Sequence, residues 1–337
     1  MSILELRQVS RSFGATKALD RVSFQVQPGR LTGFVGANGA GKTTAMRIGM
    51  GVLSADAGQV TWDGKPVTRA IAGRFGYMPE ERGLYPKMGV RQQLVFLARL
   101  HGLAAAEAER NADNLLDRLG LAARAQDHVE KLSLGNQQRA QIAAALVHDP
   151  VALILDEPFS GLDPMAVDVV MGVLRQFAAG GAPILFSSHQ LDVVERITDD
   201  LIIIAAGQIK AAGATAALRQ AQAGSRYRLV LREMDDAVWL AQFPGLTGVR
   251  LAPGSPGSAS PFGPPGTSGP ADPPGPAGAA PGAGAGGGAT ASDIEIFFEA
   301  APDVAQAALR EAARRGPVAA FGRVVPPLSE VFKEVVA

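Results

Sequence analysis

A chain of 337 residues, 47% hydrophobic and 19% charged, has room for about two domains with buried cores of their own. Its 32 basic and 32 acidic residues cancel, so the totals give no electrostatic basis for holding nucleic acid, and no nucleic acid partner is expected. The absence of cysteine excludes disulfides, thiolate catalysis and thiolate metal sites.

The chain opens on alternating polar and apolar residues, Met1-Ser-Ile-Leu-Glu-Leu-Arg7, which reads as a strand and lacks the apolar core of a signal peptide. No run of 18 apolar residues occurs, and residues 201–206, among the longest stretches, are too few to cross a bilayer. The expectation is a soluble, cytoplasmic protein that reaches a membrane only through a partner.

Residues 1–222 read as one alternating strand-and-helix unit, an α/β domain. Residues 31–35 are a short apolar run, followed by a helix from about Lys42. Residues 151–155, 184–186 and 201–204 are apolar throughout, as central strands covered on both faces must be. Ala166, Val169, Val170 and Val173 recur at helical spacing between them. Residues 84–131 break the alternation. There Val90, Leu94, Leu97 and Leu100, then Ala112, Leu115, Leu116 and Leu119, give two helices, the second stopped by Gly120, and predict a helical insertion.

A second unit, 223–337, is expected to be small and α+β. Tyr227, Leu229 and Leu231 alternate as a strand, 238–243 suggest a short helix, and 249–251 another strand. Residues 253–292 are more than half Gly and Pro with one charge, Asp272, and are predicted to be disordered because they cannot bury enough apolar surface to offset their ordering entropy. Structure is expected again at 294–298, with a helix over 304–315, a strand over 318–321 and a final helix over 328–335. This succession suggests a ferredoxin-like βαββαβ domain whose central hairpin carries the long insertion; a plain interdomain linker is the competing reading.

Chemistry concentrates in the first unit. Gly36-Ala37-Asn38-Gly39-Ala40-Gly41-Lys42-Thr43 fits the phosphate-binding loop pattern between a strand and a helix, with Thr44 next in the helix. Its glycines let backbone N–H groups close on phosphate oxygens, Lys42 reaches the β- and γ-phosphates, and the Thr43 hydroxyl holds Mg²⁺. Asp156 and Glu157 follow an apolar strand at the end where ligands of open α/β sheets sit. Two adjacent carboxylates can divide the work, Asp156 on the metal and Glu157 as general base on the attacking water.

With these residues, three further elements in fixed order make the chain resemble the ATP-binding cassette (ABC) ATPases, which are P-loop NTPases with a helical subdomain. Leu132-Ser133-Leu134-Gly135-Asn136-Gln137-Gln138-Arg139 is similar to the family's LSGGQ signature, Ser160-Gly-Leu-Asp163 to its D-loop, and His189 to its switch histidine. The resemblance implies ATP with Mg²⁺, a homodimer in which Ser133, Gly135 and Gln137 of one copy close over the nucleotide of the other, and Asp163 linking the two sites. It also implies that His189 contacts the γ-phosphate and that Phe13 stacks on adenine. Glu80 stands where the family usually has glutamine, and is expected to ligate Mg²⁺ or accept a water proton. Leu134 and Asn136 also depart from the signature.

Both departures, with the run from Pro79 to Tyr85, resemble a bacterial sodium- or multidrug-export branch with an accessory C-terminal domain. The expected role is the ATP-hydrolysing subunit of an exporter, peripheral on the inner face of the cell membrane through a separate permease. The alternative is a regulatory ATPase of the same class not coupled to transport. Chromosome-maintenance relatives would need long coiled coils between Lys42 and Ser133, translation factors two cassettes, and repair proteins zinc-binding cysteines.

Overall fold

The structure, a computed structural model, describes residues 2–81, 83–232, 237–253 and 293–336. The chain forms two compact units, Met1–Gln222 with Pro326–Ala337, and Ala223–Val325.

In the first unit β1 (Leu4–Phe13) and β2 (Thr16–Val26) pair antiparallel, and β3 (Leu31–Val35) leads through the phosphate-loop sequence into α1 (Lys42–Gly49). Then come β4 (Ala57–Trp62), β5 (Lys65–Pro66), α2 (Arg69–Ala72) and β6 (Phe75–Met78). The helical section holds α3 (Val90–Leu100), α4 (Ala105–Arg118) and two 3-10 turns, Ala122–Arg124 and Val129–Lys131. It spans the residues where the apolar spacing changes from strand to helix. Gly120, at φ 68, supplies the left-handed residue that stops α4. The remainder is α5 (Leu134–Leu146), β7 (Ala152–Leu155), α6 (Pro164–Ala179), β8 (Ile184–Ser187), α7 (Leu191–Ile197), β9 (Asp200–Ala205), β10 (Gln208–Ala214) and α8 (Thr215–Ala221).

Among the described residues the central sheet has the order β10-β9-β3-β8-β7-β6. Its strands from β9 to β6 are mutually parallel, and β10 is antiparallel at the edge. Every residue of β3, β7 and β8 is buried, which explains their unbroken apolar runs. One face packs Phe34, Ile154 and Ile202 against Met46 of α1 and Leu4 and Leu6 of β1. The other packs Leu155, Phe186 and Ile203 against the helices, including Leu94, Leu116, Ile142 and Val170. The sheet is therefore held rigid from both sides, and its C-terminal strand ends present β3, β7 and β8 together.

The second unit contains β11 (Arg226–Leu231), a 3-10 turn (Val238–Gln242), β12 (Thr247–Pro253), β13 (Ile294–Glu299), α9 (Pro302–Arg315) and β14 (Val318–Arg323). Its antiparallel sheet has the order β12-β13-β11-β14. Tyr227, Leu229, Leu231, Ile296 and Phe298 share one core with Ala305, Ala308 and Ala312 of α9. The short helix expected over 238–243 is the 3-10 turn Val238–Gln242; Phe243 is extended, as the residue before Pro244 tends to be. Pro253 pairs with Ile294, so residues 254–292 join two paired strands of one sheet. The disorder expected there lies, from 254 on, outside the described residues.

The closing helix α10 (Leu328–Val336) corrects an expectation: it groups with the first unit. Leu328 and Val331 are buried in that unit's core, and Leu328 N donates to Glu195 Oε2 of α7 at 2.7 Å. The periodicity of residues 328–335 gives a helix correctly, but an apolar face does not name the surface that buries it.

Candidate nucleotide site

Gly36 to Gly41 turn the chain from the end of β3 into α1 with very little room. A Cβ on Gly36 would lie 2.5 Å from the Ile204 carbonyl oxygen. At Gly41, with φ 110, a Cβ would meet the Ala18 carbonyl oxygen at 2.7 Å. Only glycine fits either position. Lys42 is buried, and its ammonium donates to Gly36 O at 2.7 Å and Ala37 O at 3.2 Å, folded back against its own loop.

Asn38, Gly39, Gly41, Lys42, Thr43 and Thr44 line a cavity of about 240 Å³ together with Ala18, Glu80, Asp156 and Glu157. Gly36, Ala37 and Ala40 shape the loop without lining this cavity. Lys42, Thr43 and Thr44 begin α1, so the helix N-terminus, whose free N–H groups and dipole favour an anion, forms part of the cavity wall.

Behind the loop stand the acids. Thr43 Oγ1 donates to Asp156 Oδ2 at 2.8 Å, and Ser187 Oγ donates to Asp156 Oδ1 at 2.5 Å. The same Ser187 oxygen accepts the Glu157 N–H at 2.9 Å, which couples the ends of β7 and β8. Glu157 takes the left-handed conformation, φ 54, and its Oε2 lies 3.0 Å from His189 Nδ1. His189 is exposed, whereas Glu157 is 9% exposed. The turn after β7 thus lifts the second carboxylate out of the sheet and toward the loop that follows β8.

The remaining sequence-predicted residues lie outside this cavity. Phe13 is 49% exposed, with the Arg11 guanidinium carbon 5.0 Å from its ring centre. Ser133 caps α5, its Oγ accepting from Asn136 N at 3.3 Å, and Asp163 caps α6, accepting from Ala166 N at 2.8 Å. Gln137 donates to the Val129 and Leu132 carbonyls, each at 3.1 Å, inside its own chain. A Cβ on Gly135 would contact Gly161 O at 3.4 Å, which places the signature turn beside the residues preceding Asp163. Two apolar side chains flank these caps in the open, Leu134 at 59% exposure and Met165 at 76%.

Sequence reasoning missed Ala18, Ser187, Gln138 and Gln141. Ala18 contributes position rather than chemistry and leaves no signal. Ser187 was findable: a polar residue ending the apolar strand just before His189 has only the neighbouring strand end to bond.

A family model described as ABC transporter matches residues 19–160. An uncharacterised ABC transporter ATP-binding protein of Bacillus subtilis (strain 168) is 44% identical over 206 residues, which span 61% of this chain and 69% of that protein. The Nod factor export ATP-binding protein I of Paraburkholderia xenovorans (strain LB400) is 37% identical over 224 residues, 66% of this chain and 74% of that protein. A solved structure described as the ATP-binding subunit of an ABC transporter has a TM-score of 0.61 at 31% identity, covering 65% of this chain and 93% of that one. By its likeness to most of the length of such proteins, and by the fold that carries it, the chain belongs to the ATP-binding, ATP-hydrolysing subunits of ABC transporters.

Proposed function

We propose that this subunit works as a homodimer which closes on two ATP molecules and drives export through a separate membrane permease. One observation carries the site assignment. The glycine loop after β3, the carboxylates after β7 and, through Glu157, the histidine after β8 converge on a single cavity. In this reading residues 36–44 cradle the phosphates, Lys42 leaves its own loop carbonyls to meet the β- and γ-phosphates, and Phe13 stacks on the adenine. Glu157 accepts a proton from water as the water oxygen bonds to the γ-phosphorus and the bridging oxygen leaves with ADP. His189 orients that carboxylate, and Glu80 adds an oxygen at the cavity wall.

The donor set suits Mg²⁺. Thr43 Oγ1 and Asp156 Oδ2 are hard oxygen donors 2.8 Å apart. Among the described residues no cluster of three His, Asp or Glu side chains could hold a metal alone, as fits a cation shared with phosphate oxygens and water. When bound, the ion would neutralise charge on the β- and γ-phosphates.

Dimer closure is supported by what the cavity lacks. Ser133, Gly135 and Asp163 do not line it, and Leu134 and Met165 beside them are left in solvent. Facing a second copy would bury those side chains and bring the α5 N-terminus to the partner's nucleotide. The permease has a candidate seat on α3: a groove of about 500 Å³ lined by Met88, Gln92, Val95, Phe96, Arg99 and Leu100. Phe96 and Leu100 are 46% and 70% exposed. Among the described residues no helix is long and apolar enough to cross a membrane, and attachment to the inner membrane face is assigned to the permease. The direction, export, rests on the relative named for Nod factor export.

Glu157→Gln tests the assignment. The variant should bind ATP and dimerise on it while phosphate release falls by roughly 10²–10⁴-fold, the usual worth of a general base. Turnover at the parental rate would remove Glu157 from that role.

A further inference from the structure

The inward face of α5 is not wholly apolar. Among Ala140, Ile142 and Ala143, all fully buried, lie two carboxamides, Gln138 and Gln141, 5% and 4% exposed. Burying an amide is unfavourable unless it is bonded, so its partners indicate its purpose. Gln138 Nε2 donates to Glu157 O at 2.9 Å and Pro158 O at 3.1 Å. Gln141 Nε2 donates to Pro79 O at 2.8 Å and Glu81 O at 3.2 Å, the two carbonyls that flank Glu80. A spacing of three puts both amides on one side of the helix, and β6 and β7, whose ends they grip, are neighbours in the sheet.

We propose that Gln141 is a positioning residue for ATP hydrolysis: by holding both carbonyls around Glu80 it fixes that carboxylate at the cavity wall, as Gln138 does for Glu157. The proposal rests on the reading of Glu157 and Glu80 given above. A hydrocarbon at 141 would fill the same space but could not grip. Pro79 and Glu81 would then lose a shared donor, and Glu80 would sample orientations away from the phosphates.

The test is a double-mutant cycle on the purified full chain, read by phosphate release. Gln141→Met, similar in length and unbranched, should lower kcat roughly tenfold through loss of orientation and change KM for ATP by less than about threefold. In a Glu80→Gln background the same substitution should cost less than about twofold more, because its effect passes through Glu80. Should Gln141→Met not fold, Gln141→Asn, which keeps the amide one methylene short, runs the same cycle with the same expectation of non-additivity. A parental kcat, or the same loss in both backgrounds, overturns the proposal. Glu157→Gln assayed alongside separates the two failures. If it is inactive while Gln141→Met is unimpaired, the positioning role alone is lost; if it turns over normally, the underlying site reading is lost.

Discussion

Glu157 holds a backbone conformation that costs a non-glycine residue about 1–3 kcal/mol, and it persists because neighbours over-determine it. Its N–H is fixed by Ser187, its carbonyl by Gln138 and its carboxylate by His189. A regular continuation of β7 would send this side chain back along the sheet; the left-handed turn directs it to the cavity instead. A second residue under constraint lies by the opposite end of the neighbouring strand, β6. The His148 ring stacks on His101 with centroids 3.8 Å apart, and its Nε2 faces Phe75 O at 3.3 Å. Burial, and then the charge of His101, press its pKa down from 6.5 to about 4. The folded chain therefore refuses a proton that the unfolded chain accepts between those two values. Stability should fall as pH drops from 6.5 toward 4, by roughly 2–3 kcal/mol for this group. His148→Phe should flatten that part of the curve, measured as urea midpoints between pH 7 and 4.5; an unchanged slope would assign the acid sensitivity to other groups.

At the scale of elements, legibility followed burial. β3, β7 and β8 are covered on both faces, so their apolar runs could be read directly, and the phosphate loop and Asp156-Glu157 could be placed at their ends. Of the antiparallel sheet only the start of β1 was legible: beyond Leu6 the pairing of β1 with β2 has three shifts in register, which break the alternation. Gln138 and Gln141 were hidden for the opposite reason. In a sequence, a polar residue on a helix reads as surface, and only the packed structure shows these two inside. The second-unit strands were legible from their alternation, whereas Trp239, packed under the Arg315 guanidinium at 4.4 Å, belongs to a turn too short for a stable α-helix. α3 shows periodicity that core packing does not use up. Phe96 and Leu100 stand exposed beside the groove, as a surface awaiting a partner would. Substituting both, Phe96→Glu with Leu100→Glu, should leave the ATPase rate of the isolated subunit within about twofold, as surface changes usually do. It should also abolish co-purification of the permease from detergent extracts; recovery equal to the parent chain would remove this face from the interface.

Across the whole molecule, the chain leaves its first unit after Gln222 and re-enters it at Pro326, so the second unit is an insertion between α8 and α10. The return is anchored: Arg219 Nε donates to Pro326 O at 3.0 Å and its guanidinium pairs with Glu195 at 2.9 Å. Glu195 lies on α7, the helix that starts two residues after His189. The proposed homodimer joins two molecules: in it the signature cap of one copy would complete the phosphate cavity of the other. The natural absence of cysteine makes a direct measurement clean. Chains carrying Glu157→Gln with Asn38→Cys are mixed with chains carrying Glu157→Gln with Ser133→Cys, and are oxidised with and without ATP and Mg²⁺. A disulfide-linked pair of chains should form with nucleotide and not without it. No cross-link between chains under any nucleotide condition would contradict it.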